Sequence, residues 1–185
     1  MKLFKLLFII SISLTTSIKA DLNKSLIDQL EEGRKLIFVR HAYAPGSDDP
    51  ANFNLNDCFT QRNLNDQGKI QAINIGKFFK KNQIIIDEIL SSEWCRCKET
   101  ASIAFKKYET KNFLNSFFNQ KFAKNKESQI IDLKKYVNKL KGDKNLVFVT
   151  HYVVISEVLD YAPLSGEIVV SDRKFKKIGS IKIKY

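Results

Sequence analysis

Three short apolar runs constrain this chain more than any other feature in it. Leu36-Ile37-Phe38-Val39, Ile84 to Leu90 and Leu146-Val147-Phe148-Val149 are rich in β-branched or aromatic residues. A strand that is apolar throughout, rather than alternating, has to be covered on both faces. Between these runs the spacing changes to a helical period. Leu22, Leu26 and Leu30 lead to Gly33, and Ile70, Ile73, Gly76 and Phe79 lie on one side of residues 66 to 81. A further helix is expected from about Cys97 to Lys107. Ile131, Leu133, Val137 and Leu140 mark another that stops at Gly142. A short helix to Leu159 follows the third run, and Glu167 to Val170 with Ile178 to Ile183 read as a closing pair of strands. Buried strands alternating with helices predict an α/β fold, a three-layer sandwich whose mostly parallel central sheet is flanked by helices.

Residues 42 to 65 show no such period, and Pro45, Gly46, Ser47, Asp48, Asp49 and Pro50 crowd their first part. A loop of this length in a compact domain is where substrate specificity is expected. Residues 108 to 128, rich in Asn, Lys and Phe, carry no readable pattern. No repeat or low-complexity linker divides the chain, so residues 21 to 185 are expected to form a single domain.

The first twenty residues read differently. Lys2 and Lys5 precede the apolar stretch Leu6 to Ile12, and Ser17-Ile18-Lys19-Ala20 forms a cleavage site with a small residue before the cut. The apolar stretch is short for a bilayer span. Residues 1–20 are expected to be a signal peptide removed after Ala20. That places the mature chain in the periplasm or outside the cell, with no stable membrane insertion.

The full sequence carries a net charge of +11. A basic surface steers anions toward a protein. The lysines are spread along helical and terminal segments, however, with no arginine-rich or aromatic-interleaved stretch, so a nucleic-acid partner is not expected. The three cysteines, Cys58, Cys95 and Cys97, allow one disulfide and one spare thiol, or three buried free thiols. A bridge from Cys58 to either of the others would tie a loop to the segment of Arg96, and the spacing does not choose between them. No second Cys pair or His-x-x-x-His spacing completes a zinc set, and no cofactor motif is present. Neither a metal nor a cofactor is therefore expected. The sequence says nothing of the oligomeric state.

The ends of the apolar runs hold the chemistry. The first is followed by Arg40-His41, the second leads within a few residues to Arg96, and the third delivers Thr150-His151. In parallel α/β sheets, ligands bind at that rim. Each residue alone has an ordinary structural reading, but both histidines of the chain share the rim with two of its arginines. Guanidinium groups match phosphate oxygens as planar forks of donors, and a neutral imidazole can attack phosphorus. Phosphoryl transfer needs little beyond such positioning and charge stabilisation. Competing designs are absent. No arginine stands six positions after Cys58, Cys95 or Cys97, where Leu64, Ala101 and Ile103 occur. There is no Asp-x-Asp pair, Gly-x-Ser-x-Gly elbow or Gly-x-x-x-x-Gly-Lys loop.

Four pieces of the chain, taken in order, resemble the histidine phosphatase (phosphoglycerate-mutase-like) superfamily. They are Arg40-His41-Ala42, then Gln61 to Gly68 with Gln71-Ala72, then Ser91-Ser92 to Arg96 with Glu99-Thr100-Ala101, and finally Val149-Thr150-His151. The resemblance spans about residues 36 to 156. It implies that His41 attacks phosphorus and becomes a phosphohistidine, and that Arg40, Arg96 and His151 form the phosphate pocket. Arg62 is implied either to contact phosphate or to brace the loop, and Glu99-Thr100-Ala101 to pack and cap a helix. The substrate class implied is a small phosphorylated molecule.

Two departures stand out. Ala42 replaces the glycine that often follows the Arg-His pair. Many members supply a glutamate as proton donor near Asn115-Ser116-Phe117, yet no acid occurs from residue 110 to 126. The donor is then expected from Asp48, Asp49, Asp57 or Glu93, or from water with a good leaving group. Phosphohistidine phosphatases are similar in lacking that acid. The His-Asp signature of secreted acid phosphatases is missing, because Tyr152 follows His151. The expectation is an exported, metal-independent phosphomonoesterase, with an envelope sugar phosphate as a candidate substrate. The alternatives are a phosphate-binding protein without turnover and, behind it, a phosphomutase.

Overall fold

A computed structural model describes residues 24–185, so the expected signal peptide over 1–20 lies outside the described residues. Residues 24–31 are helical (α1) and are followed by strand β1, Leu36–Arg40. In chain order come α2 (Asp66–Lys81), β2 (Ile86–Ser91), α3 (Cys95–Phe105), β3 (Glu109–Thr110), α4 (Gln120–Ala123) and α5 (Lys126–Asn138). Then follow β4 (Asn145–Thr150), α6 (Tyr152–Leu159), β5 (Ile168–Ser171) and β6 (Lys177–Ile181). The sheet has the order β3-β2-β4-β1-β5-β6. β3, β2, β4 and β1 run parallel, whereas β5 pairs antiparallel with both β1 and β6. No described helix is long and apolar enough to cross a membrane.

Period-two alternation sorts the buried strands into two cores. Leu36, Phe38, Leu146 and Phe148 face one side, where Leu133 and Val137 of α5 and Ile155 and Leu159 of α6 cover them. Ile37, Val39, Val147 and Val149 face the other, against Leu30 of α1, Ile75 and Phe79 of α2 and Ala101 of α3. The result is the three-layer sandwich expected from the uniformly apolar runs of β1 and β4, whereas the second run is only partly buried, with Asp87 and Glu88 exposed on β2. Phe38 and Phe148 pack ring to ring at 4.9 Å, both fully buried. Burying a side chain of that kind contributes about 2–3 kcal/mol.

Helix α2 starts where its sequence provides a cap: the Asn65 side chain accepts a hydrogen bond from Gly68 N–H, and Asp66 lies in the positive first turn. Gly68 is required there for another reason. A Cβ at this position would stand 2.0 Å from the carbonyl oxygen of Tyr43, so the loop after His41 rests directly on the helix backbone.

The structure differs from the expected elements mainly over 108–128. That stretch holds the two-residue β3, a 3-10 turn at Asn112–Leu114 and the short α4. Phe113, Leu114 and Phe117 still enter the core, but from irregular backbone that leaves no period. α5 also begins earlier than expected, at Lys126, and ends at Asn138 rather than at 142.

Two covalent or polar ties hold the layers in place. Cys58, in a 3-10 turn at Cys58–Thr60, is bonded to Cys95 at the start of α3, while Cys97 is free and buried. Asn145 opens β4 and is fully buried. Its Nδ2 donates to the carbonyls of Leu30 and Ile85 at 2.6 and 3.0 Å, and its Oδ1 accepts from Lys35 N–H at 3.1 Å. One side chain thereby serves the end of α1 and the approaches to β1 and β2.

Asn145→Leu removes the side-chain partner of Lys35 N–H and of the Ile85 carbonyl, leaves the Leu30 carbonyl with Gly33 N–H alone, and is expected to cost roughly 2–4 kcal/mol, read as a lower urea midpoint. Reduction of Cys58–Cys95, which closes a separation of 37 residues, is expected to lower stability by about 3 kcal/mol. Unfolding curves with and without reductant measure it, and superimposable curves would count against a stabilising role for the bond.

Candidate active site

The register of β1 on β4 builds the site. Arg40 is the partner of Thr150, so His41 and His151 emerge side by side, one residue beyond the last matched pair. His41 N–H donates to the carbonyl of Thr150 at 2.9 Å. The two imidazoles meet edge to face, with centroids 5.5 Å apart, and each is only 2 % exposed.

Hydrogen bonds assign both tautomers. His41 Nδ1 lies 2.8 Å from the carbonyl of Ala42, which only accepts, so Nδ1 carries the proton and Nε2 keeps a lone pair. Ser92 Oγ donates to Asn115 Oδ1 at 3.0 Å, and therefore accepts from His151 Nε2–H at 2.9 Å. His151 Nδ1 is then left facing Arg96 Nη2 at 3.5 Å. Burial first, and then the charge of Arg96, hold both histidines well below the ordinary imidazole pKa. Both rings are neutral near pH 7.

The arginines surround this pair. Arg40 Nη1 donates to the carbonyl of Pro163 at 2.8 Å, and its guanidinium lies over the Tyr152 ring. Arg62 donates from Nη1 to the carbonyl of Ala44, which fastens the loop that follows His41. Arg96, 4 % exposed, pairs with Asp49 at 2.8 Å. Among the described residues, the Nε atoms of Arg40, Arg62 and Arg96 are all buried without a hydrogen-bond partner. Buried unpaired donors are costly and uncommon. All five residues singled out from the sequence, Arg40, His41, Arg62, Arg96 and His151, line one cleft of about 530 Å³.

Other residues were not legible in this role. Asp49, one of the expected proton donors, is instead the counter-ion of Arg96. Burial raises its carboxyl pKa, but the charge of Arg96 and hydrogen bonds from Arg62 N–H, Arg96 and Trp94 Nε1 outweigh that and hold it below the usual range. Asp57 caps the 3-10 turn through Phe59 N–H, and Glu93 accepts from Asn115 Nδ2 at 2.6 Å. Neither lines the cleft. Thr100 does more than pack: its Oγ1 donates to the carbonyl of Arg96 and accepts from Ala42 N–H, joining the turn after His41 to α3. Nothing in the local pattern marks Asp49, because its partner is 47 residues away. Burial pushes the Cys97 thiol up to about 12, so it stays protonated although Sγ is 3.5 Å from His151 Nε2.

No family profile and no curated protein matches the sequence. Solved structures do match its shape. TTHB049 from Thermus thermophilus superimposes with a TM-score of 0.58 at 14% identity, covering 80% of this chain and 99% of that one. The protein histidine phosphatase SixA, solved with tungstate, gives 0.55 at 14% identity, covering 81% and 96%. The mycobacterial glucosyl-3-phosphoglycerate phosphatase Rv2419c gives 0.51 at 13% identity, covering 74% and 89%. With the two histidines on adjacent parallel strand ends and these likenesses in shape, the chain has the histidine phosphatase fold.

Proposed function

We propose that this chain is an exported phosphomonoesterase that works without a metal, through a phosphohistidine at His41. One observation carries the reading. A neutral imidazole whose Nε2 has no partner among the described residues lines a cleft together with three arginines, each with a buried Nε that no described group satisfies. A phosphate ester supplies the acceptors those cations lack, and its phosphorus is the electrophile for Nε2. Arg40, Arg62 and Arg96 bind the equatorial oxygens and offset the charge that spreads over them during transfer. His151, oriented by Ser92, contributes a neutral ring beside His41 and faces the same cleft. That a protein histidine phosphatase of this fold was solved with tungstate, a tetrahedral oxyanion, supports the same occupancy here.

Two finer points have their own support. The Cys58–Cys95 bond fits an oxidising compartment, in line with the signal peptide expected from the sequence. The cleft has an aromatic wall, in which Phe53 stacks on Trp94 at 5.1 Å. Such a wall offers an apolar face to the ring of a sugar phosphate from the cell envelope. The rival reading is a phosphate receptor without turnover, favoured by the lack of any acid from residue 110 to 126.

Hydrolysis of p-nitrophenyl phosphate in the presence of EDTA separates the two. Turnover is expected in the wild type, with a loss of roughly a thousandfold or more in His41→Ala. A folded wild type that binds vanadate but releases no p-nitrophenol would leave the receptor reading standing. The pH profile gives a second check. Protonated His41 cannot attack, and its pKa in the fold is lowered, so kcat/KM is expected to hold from neutrality down through about pH 6.5, the ordinary imidazole value. A half-loss centred there would contradict the neutral, buried nucleophile.

A further inference from the structure

We propose that Asp48 is the proton donor to the leaving group, and that the natural substrates are therefore alkyl phosphomonoesters, whose alkoxide is too basic to depart unprotonated. This rests on the phosphatase reading. The cleft is lined by two carboxylates, Asp48 and Asp49. Asp49 accepts from Arg96, Arg62 N–H and Trp94 and stays ionised, which disqualifies it as an acid. Asp48 differs in every respect. Its carboxylate partners are neutral: Oδ2 accepts from Asn119 Nδ2 at 3.0 Å and Oδ1 from Asp49 N–H at 2.9 Å. Both Asp48 and His41 line the cleft, but Asp48 is exposed whereas His41 is buried. In-line attack by the buried His41 sends the leaving oxygen away from that ring, and the exposed Asp48 is the carboxyl of the cleft that no described cation pairs. It lines the same cleft as Arg40, Arg62 and Arg96. Asn119 lies 71 residues away in sequence and lines the cleft as well, so its amide adds a second tie to a side chain already held by Asp49 N–H.

The chemistry balances in two halves. His41 Nε2 forms a bond to phosphorus as the ester P–O bond breaks, and the Asp48 carboxylic acid gives its proton to the departing oxygen. This yields the alcohol, an Asp48 carboxylate and a phosphohistidine whose Nδ1–H still donates to Ala42. Water then attacks phosphorus while the Asp48 carboxylate takes a proton from it. The N–P bond breaks, and phosphate, neutral His41 and protonated Asp48 result.

The test is a series of esters with progressively poorer leaving groups, p-nitrophenyl, phenyl and glycerol 2-phosphate, assayed with wild type, Asp48→Asn and Asp48→Glu. The loss in kcat/KM caused by Asp48→Asn is expected to grow along the series, about 100-fold larger for glycerol phosphate than for the nitrophenyl ester. Asp48→Glu is expected to recover part of the alkyl activity, and Asp48→Asn to retain more phosphohistidine in quenched reactions. A loss of equal size for all three esters overturns the assignment while leaving the phosphatase reading intact. A wild type inert toward every ester overturns both.

Discussion

Everything in the site depends on one piece of backbone pairing, the parallel alignment of β1 with β4. It matches Arg40 to Thr150 and continues into a hydrogen bond from His41 N–H to Thr150 O. Two histidines separated by 110 positions in the chain are brought within van der Waals reach by that ladder alone. A slip of one residue would also exchange the two faces of the strand, sending Phe38 toward the α1–α3 side and Val39 toward the other. The fit of each core to its own helices thus protects the register, and with it the chemistry. Burial, usually discussed as a matter of stability, here sets the distance between two rings.

The electrostatics follow from the same burial. Imidazoles enclosed next to guanidiniums give up their protons, while guanidiniums keep theirs. One environment therefore produces a neutral nucleophile and permanent cations without fine adjustment of either. The strain in this arrangement lies among the arginines, which repel each other across the cleft. Asp49 relieves it at Arg96, the most enclosed of the three, and does so with an oxygen set that also anchors Arg62 N–H and Trp94. The carboxylate neutralises the wall of the cleft and leaves the rest of the positive field for a ligand.

How far the sequence discloses this depends on the range of the interaction concerned. Leu36–Val39 and Leu146–Val149 are visible as buried strands because apolar runs report burial locally, and Arg40, His41 and His151 are visible because they sit at the ends of those runs. Arg96 is visible more loosely, a few residues beyond the second run, whereas Arg62 is found through the resemblance to a family and not through any period. Asp49 as the partner of Arg96, Asn145 as the tie between three elements, and the choice of Cys95 over Cys97 are long-range outcomes that no window of sequence contains. The 108–128 segment was unreadable for a different reason. Phe113, Leu114 and Phe117 reach the core from turns, and turns bury side chains at irregular intervals.

The bond between Cys58 and Cys95 separates two things that are easily run together. The sheet, the paired histidines and the Arg96–Asp49 contact are all held by non-covalent forces, and none of them waits for an oxidant. The two cysteines are set 5.7 Å apart, Cα to Cα, at the edge of that assembly, with Cys95 directly preceding Arg96. The shape of the pocket thus rests on contacts between side chains and backbone, and the bond adds to them a closed loop spanning a separation of 37 residues that no contact could enforce.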